Sequence, residues 1–233
     1  MLGRRLQRRG GVDMRSVSVG RYQPRLSRSV KVLGRWRPVL AEHTDSADQL
    51  IAAAQRRLPD LAAEVPVPSS FCRGLLEGAI LPGAALYLEL LDRVDRDRAL
   101  SLTGACIATD ADRRARARRR ADRTPWLFPI FRRMMRWAVR HAYVPPAWEA
   151  QMLEDTPRRV HVDITRCYYL DTLSTLGVPE LTARYCANDD IIWGHLLHIE
   201  FHRTGTLGYG HDKCDFDYQV RHSSKPDHPN TRR

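Results

Sequence analysis

The sequence predicts an α+β protein, with a helical N-terminal half packed against a small antiparallel sheet and two helices in the C-terminal half. Three observations carry this. Apolar residues recur at helical spacing as far as about residue 145, period-two alternation begins only after Pro157, and a glycine-containing turn near residue 210 separates two further strand-like runs. A chain of 233 residues that is 43% hydrophobic and 8% aromatic can bury one core.

Residues 1–40 carry a net charge of +10 and include Gly10, Gly11, Gly20 and several serines. They show no apolar period and are read as a flexible basic arm. Arg4-Arg5 and Arg8-Arg9 resemble a twin-arginine leader, but no apolar stretch follows, so export is not expected, and Met14 is an alternative start. Residues 41–222 are read as a single domain, helical over 41–145 and strand–helix–helix–hairpin over 157–222.

Within it, Asp45 to Val65 places Leu50, Ile51, Ala54, Leu58 and Leu61 on one helical face, with Pro59 kinking or dividing the helix. Phe71 to about Thr109 is helical and strongly apolar, interrupted near Pro82-Gly83. Its longest charge-free stretch, Gly78 to Leu88, is too short to cross a bilayer, so no membrane partner is expected. Pro129 to His141 is amphipathic, with Phe131, Met134, Met135 and Ala138 opposite Arg132, Arg133, Arg136 and Arg140. Pro145-Pro146 closes the helical part.

Val160, Val162 and Ile164 then alternate with polar residues as in a strand. A helix from Cys167 to Leu176 ends at Gly177, and another runs from about Pro179 to Trp193. His198 to Leu207 and Lys213 to Val220 form a predicted hairpin joined by residues 208–212. Residues 223–233 are read as a disordered tail.

The formal charge of +11 and pI of 10.0 suggest a polyanionic partner at first. Counted by segment, residues 41–112 carry −6, 113–140 carry +10 and 141–233 carry −3, so two short segments hold the excess. The arginine run 113–120 is a solvated helix face or a phosphate-touching patch. No aromatic residues are interleaved with it and no nucleic-acid motif is present, so nucleic acid is disfavoured as a partner.

The five cysteines, Cys72, Cys106, Cys167, Cys186 and Cys214, show no C-x-x-C spacing and are expected as free thiols of a cytoplasmic protein. Cys167 lies where a strand gives way to a helix, whose N-terminus favours a thiolate. Cys186, Asp189, Asp190 and Trp193 share one helix face. Cys214 shares a strand face with Phe216, Tyr218 and Val220, three residues after His211. For each thiol the alternative is a small buried hydrophobe. His195, His198 and His202 have metal-like spacing but straddle a helix–strand boundary, so no metal is expected.

The runs Thr165-Arg166-Cys167, Leu176-Gly177-Val178-Pro179-Glu180-Leu181, Cys186-Ala187-Asn188-Asp189, Arg203-Thr204-Gly205-Thr206-Leu207 and Gly210 to Cys214-Asp215-Phe216 occur in order over about 55 residues. This pattern resembles the L-2-amino-thiazoline-4-carboxylic acid hydrolase family, with Tyr168 where many members carry proline after the first cysteine. The resemblance implies hydrolytic opening of a small sulfur–nitrogen ring, without a cofactor. The expected catalytic residues are Cys214 as nucleophile, with Cys167 second, assisted by His211 or Asp189. Arg203 is the expected partner of a substrate carboxylate, with Thr204 and Thr206 as hydroxyl donors and Tyr169, Asp190 and Cys186 nearby. The alternative is a non-hydrolytic enzyme, such as an isomerase or cyclase, or a small-ligand binder on the same scaffold. A homo-oligomer is compatible with all of these.

Overall fold

The computed structural model describes residues 26–123 and 126–221. It contains an α+β fold with one four-stranded antiparallel sheet.

The chain enters through α1 (Ser27–Arg35) and α2 (Arg37–Ala41), where a flexible arm was expected. Val32, Leu33, Trp36 and Leu40 are buried in the core, and the Trp36 indole donates to Asp110 Oδ2 at 3.1 Å. The five cations of residues 25–40 had obscured this short apolar face, so the arm expectation fails from residue 26 on. Residues 1–25 and 222–233 lie outside the described residues, and so do the leader and tail expectations.

Helix α3 (Ala47–Ala63) passes Pro59 without dividing. Helix α4 (Ser70–Leu75), a π-helical turn (Leu76–Ile80) and α5 (Leu81–Leu91) then follow without a break. The expected interruption at Pro82-Gly83 is absent. Pro82 falls in the first turn of α5, and the wider π turn absorbs the backbone hydrogen bond and the space that proline denies an α-helix. The combined run Ser70–Leu91 is long and apolar enough to span a bilayer by length and composition, yet 72% of its apolar window is buried inside the fold. It packs on α3, on α1 and on α6 (Arg96–Ala121). Asp95 caps α6 by accepting from the Arg98 N–H at 2.9 Å.

Helix α7 (Leu127–His141) buries Phe128, Phe131, Met135 and Ala138, while Arg132 and Arg136 both hold Asp155 at 2.5 and 2.7 Å. Asp155 ends β1 (Glu149–Asp155), a strand the sequence did not announce. β1 is an edge strand rich in acids, with one face exposed, so hydrophobic alternation is weak there. β2 (Arg159–Arg166) follows, then α8 (Tyr168–Thr175), α9 (Leu181–Trp193), β3 (Ile199–His202) and β4 (Cys214–Val220), in sheet order β1-β2-β4-β3. Register pairs Val160 with Tyr218, Val162 with Phe216 and Ile164 with Cys214, and these six side chains face the helices.

β3 is much shorter than expected. Arg203 to Thr206 leave the ladder to bond α9 and Asp215, so the hairpin connection is eleven residues long and contains a single 3₁₀ turn, Leu207–Tyr209. Between α6 and β3, Asp122 is buried and accepts from the His198 N–H at 3.1 Å and from the Leu197 N–H. His198 Nδ1 is also 2.6 Å from the Asp122 carbonyl, so this histidine ties the end of α6 to the start of β3. Among the described residues no cluster of three metal-ligating side chains occurs.

Candidate active site

Between the inner face of the sheet and helices α6, α7 and α9 lies a cavity of about 320 Å³. Its polar wall is formed by Cys167, Cys186, Cys214, Asp189, Arg114 and Arg118. Three of the five thiols, on three different elements, thus reach one space. The rest of the wall is largely aromatic. Tyr143, Trp148, Tyr169 and Tyr185 form a continuous belt with successive ring centroids 5.0, 6.4 and 5.0 Å apart. Tyr185 Oη donates to the Ala79 carbonyl at the end of the π turn, 2.7 Å away. Gly83 leaves room for it, since a Cβ there would lie 2.1 Å from that oxygen.

Each family-like run has a local task. Gly177, at φ +75°, closes α8 in the left-handed region open to glycine. Glu180 accepts from Tyr87 Oη at 2.8 Å and from Arg96 at 2.6 Å, fixing the start of α9 against α5 and α6. Arg203 donates to the Cys186 carbonyl at 2.9 Å and binds Asp189 at 3.5 Å and Asp190. Asp215 accepts the N–H groups of Thr204 and Gly205 at 2.9 and 2.8 Å and the Thr204 hydroxyl at 2.6 Å. Gly208 lies so close to α9 that a Cβ would meet Cys186 Sγ at 2.6 Å. The loop 203–210 is therefore a clasp between β4 and α9, and it sets where Cys186 and Cys214 stand.

Several expected site residues move in consequence. Arg203 is consumed by the clasp and is absent from the cavity wall, as are Asp190, Thr204 and Thr206. Thr206 caps the 3₁₀ turn, accepting from the Tyr209 N–H at 3.3 Å, and its hydroxyl bears on the Cys186 thiol. His211 is exposed and its ring lies against Gly205, and among the described residues no hydrogen bond joins it to Cys214, whose Sγ accepts from the Leu207 N–H. Cys167, Cys186, Cys214, Asp189 and Tyr169 do come together.

The missed residues are Arg114 and Arg118. Cys106, Asp110, Arg114 and Arg118 form one i, i+4 ridge of α6 whose first two members are buried, and the ridge carries the last two to the cavity. That spacing was visible in the sequence, but the surrounding arginines masked it. Arg118 lies over the Trp193 ring, 4.3 Å from its centroid, and burial pulls its guanidinium below the usual range while leaving it charged.

The thiols are protonated at rest. Burial pushes Cys214 up to about 12, opposed by the Leu207 N–H that donates to Sγ at 3.3 Å. Cys167 caps α8, and burial raises it further despite the Leu170 and Tyr169 amides; Cys186 is also raised by burial. Asp189 behaves differently from an ordinary carboxylate. Burial lifts it to about 7, with Arg203 pulling the other way. A carboxyl poised near neutrality beside a thiol can accept and return a proton at physiological pH.

A cavity of small-molecule size, lined by thiols, a near-neutral carboxyl and two guanidinium groups, has the make-up of an enzyme site for a small anionic substrate. The family model for L-2-amino-thiazoline-4-carboxylic acid hydrolase matches residues 73–218, and the chain belongs to that family. The family name implies a hydrolase, and aminothiazoline carboxylate is the substrate that the name gives for the family. Neither a curated protein nor a solved structure matches the chain.

Proposed function

We propose that the protein hydrolyses the ring of a small cyclic amidine of the 2-aminothiazoline-carboxylate type, with Cys214 as nucleophile and Asp189 as the proton-transfer group. The convergence of Cys214, Asp189 and Arg118 on one cavity carries this reading. Arg118, with Arg114, takes the substrate carboxylate in place of the Arg203 the sequence suggested.

Magnitudes favour the thiol over direct attack by water. Moving a proton from Cys214, at about 12, to Asp189, at about 7, costs about 7 kcal/mol. The same transfer from water, whose pKa is about 15.7, costs about 12 kcal/mol. Cys214 adds to the ring carbon between sulfur and nitrogen. The carbon–sulfur bond then breaks, and the proton taken by Asp189 passes to the departing sulfur. Water adds to the same carbon and Cys214 leaves with the second proton, so one water is consumed and no electron is gained or lost. With aminothiazoline carboxylate, mass spectrometry is expected to show the N-carbamoyl-cysteine product, one water heavier than the substrate. An unchanged ligand mass after prolonged incubation assigns the scaffold to binding or isomerisation instead.

Asp189 supplies a prediction with opposite signs for activity and stability. Its folded pKa lies above its unfolded value, so the folded state binds the extra proton and loses stability as pH rises through about 7. Asp189→Asn, neutral at every pH, is expected to melt higher than wild type at pH 8, by a smaller margin at pH 5, and to converge with it only below about pH 4, the range of an ordinary unfolded carboxyl. Turnover should fall about 10²-fold or more and lose its rise near pH 7. An unchanged rate profile sinks the proton-transfer role.

A further inference from the structure

Next to the candidate active site lies a second cleft of about 350 Å³, between α1, the α4–π segment and α6. It is lined by Arg28, Lys31, Arg35, Arg113 and Arg114, with no carboxylate in its wall. Arg28, Lys31 and Arg35 stand on one face of α1 at i, i+3 and i+7. Asp110 occupies two of the five cations, holding Arg35 and Arg113 each at 3.1 Å. Among the described residues Arg28, Lys31 and Arg114 have no carboxylate within ion-pair distance. The Arg28 guanidinium rests in a notch over Gly74 and Gly78, where a Cβ on Gly78 would come 2.8 Å from Nε. Ser29 fixes α1 at this spot through a 2.8 Å bond from its hydroxyl to the Glu77 carbonyl.

Leu75, Arg114 and Tyr169 belong to both walls, so the cleft and the cavity are neighbours. Arg28, Lys31 and Arg35 precede residue 73, where the family match begins. The three α1 cations of the cleft thus lie outside the stretch that the family model matches, beside the thiol cavity of this chain.

We propose that this cleft is an anion subsite for a phosphate group carried on an arm of the substrate whose ring occupies the adjacent cavity, an inference that rests on the ring-opening function proposed above. The charge decides for phosphate. With Arg114 shared with the carboxylate of the ring, Arg28 and Lys31 remain without an ion-pair partner among the described residues; a second carboxylate would leave one of them uncompensated, whereas a phosphate ester brings nearly two negative charges and three acceptor oxygens. Concavity decides for a small molecule. The cations surround a pocket instead of lining a convex helix face, and its single aromatic residue, Tyr169, is already engaged with Trp148 and Tyr185.

The test is titration calorimetry on the full chain with three probes. These are inorganic pyrophosphate and two 2-aminothiazoles that differ only in a terminal phosphate or hydroxyl on a short alkyl chain. Pyrophosphate binding is expected to weaken at least tenfold in Arg28→Ala/Lys31→Ala. It should also weaken in Gly78→Ala, which displaces the Arg28 guanidinium without changing the charge of the chain. The phosphate-bearing probe should bind wild type at least tenfold more tightly than its hydroxyl twin, and the double variant should abolish that advantage. Turnover of aminothiazoline carboxylate by the double variant should stay within twofold of wild type. Pyrophosphate binding unchanged in both variants overturns the subsite, and equal binding of the two ring probes by wild type overturns its link to the cavity. Failure of both ring probes alongside Arg28- and Lys31-dependent pyrophosphate binding sinks the ring chemistry and supports the anion subsite. Duplex DNA binding that is tighter than pyrophosphate and equally sensitive to the double variant overturns the small-molecule assignment.

Discussion

Cys214→Ala is expected to lower kcat for aminothiazoline carboxylate by at least about 10³-fold, with KM within a few-fold of wild type. The side chain removed is the proposed nucleophile, while Arg114 and Arg118, the proposed carboxylate partners, remain. The folded structure should tolerate the change. Cys214 is 5% exposed and the loss of one sulfur from a strand costs about 1 kcal/mol, measurable as a shift in melting temperature of a few degrees. Cys214→Ser is the sharper variant, because it keeps the hydrogen bond from the Leu207 N–H but replaces the thiol with a group several pKa units less acidic. It should be nearly as inactive as the alanine variant. Cys186→Ala should cost much less, because Cys186 is packed against Gly208 and Thr206 as part of the clasp. If Cys214→Ala and Cys167→Ala each retain full turnover, no thiol attacks the ring and water activated at Asp189 takes its place.

Sequence patterns announced the fold where period and burial coincide. β2 and β4 alternate cleanly because one face of each is buried against helices, and α9 shows its site face as Cys186, Asp189 and Trp193 at helical spacing. Where charge outweighs a narrow apolar stripe, the pattern is lost. Trp36 and Leu40 lie among arginines, and β1 is an edge strand whose acids pair with Arg132, Arg136 and Arg159. The same masking hid Arg114 and Arg118, whose place at the cavity wall depends on where α9 and the sheet dock. That is a tertiary fact which no local spacing contains. The cysteines were legible as candidates because each sits in an ordered motif. Their meeting in one cavity depends on the Arg203 and Asp215 bonds that fold the 203–210 loop back on α9.

Arg203→Ala is expected to destabilise the protein by about 2–3 kcal/mol and to move the lower limb of the pH–rate profile upward, with little change in KM. The side chain is 9% exposed and bonds the Cys186 carbonyl, Asp189 and Asp190 at once, so its removal strands acceptors at the C-terminal half of α9. Asp190 is 60% exposed and regains water cheaply, which keeps the loss below that of a fully buried pair. The sign of the pH effect follows from Asp189. Arg203 holds its carboxyl down against burial, so without Arg203 the pKa rises above about 7 and a smaller fraction is ionised at neutral pH. In the proposed mechanism Arg203 is therefore a positioning residue. Lysine in its place should restore part of the pH profile through its charge, but less of the stability, because one ammonium cannot span three acceptors. Arg118→Ala should give the complementary result, with KM for aminothiazoline carboxylate raised about tenfold or more and the Asp189 limb moved far less. A tenfold rise in KM for Arg203→Ala, with melting temperature and pH profile unchanged, would return Arg203 to the carboxylate-binding role its sequence motif suggested and remove that role from α6.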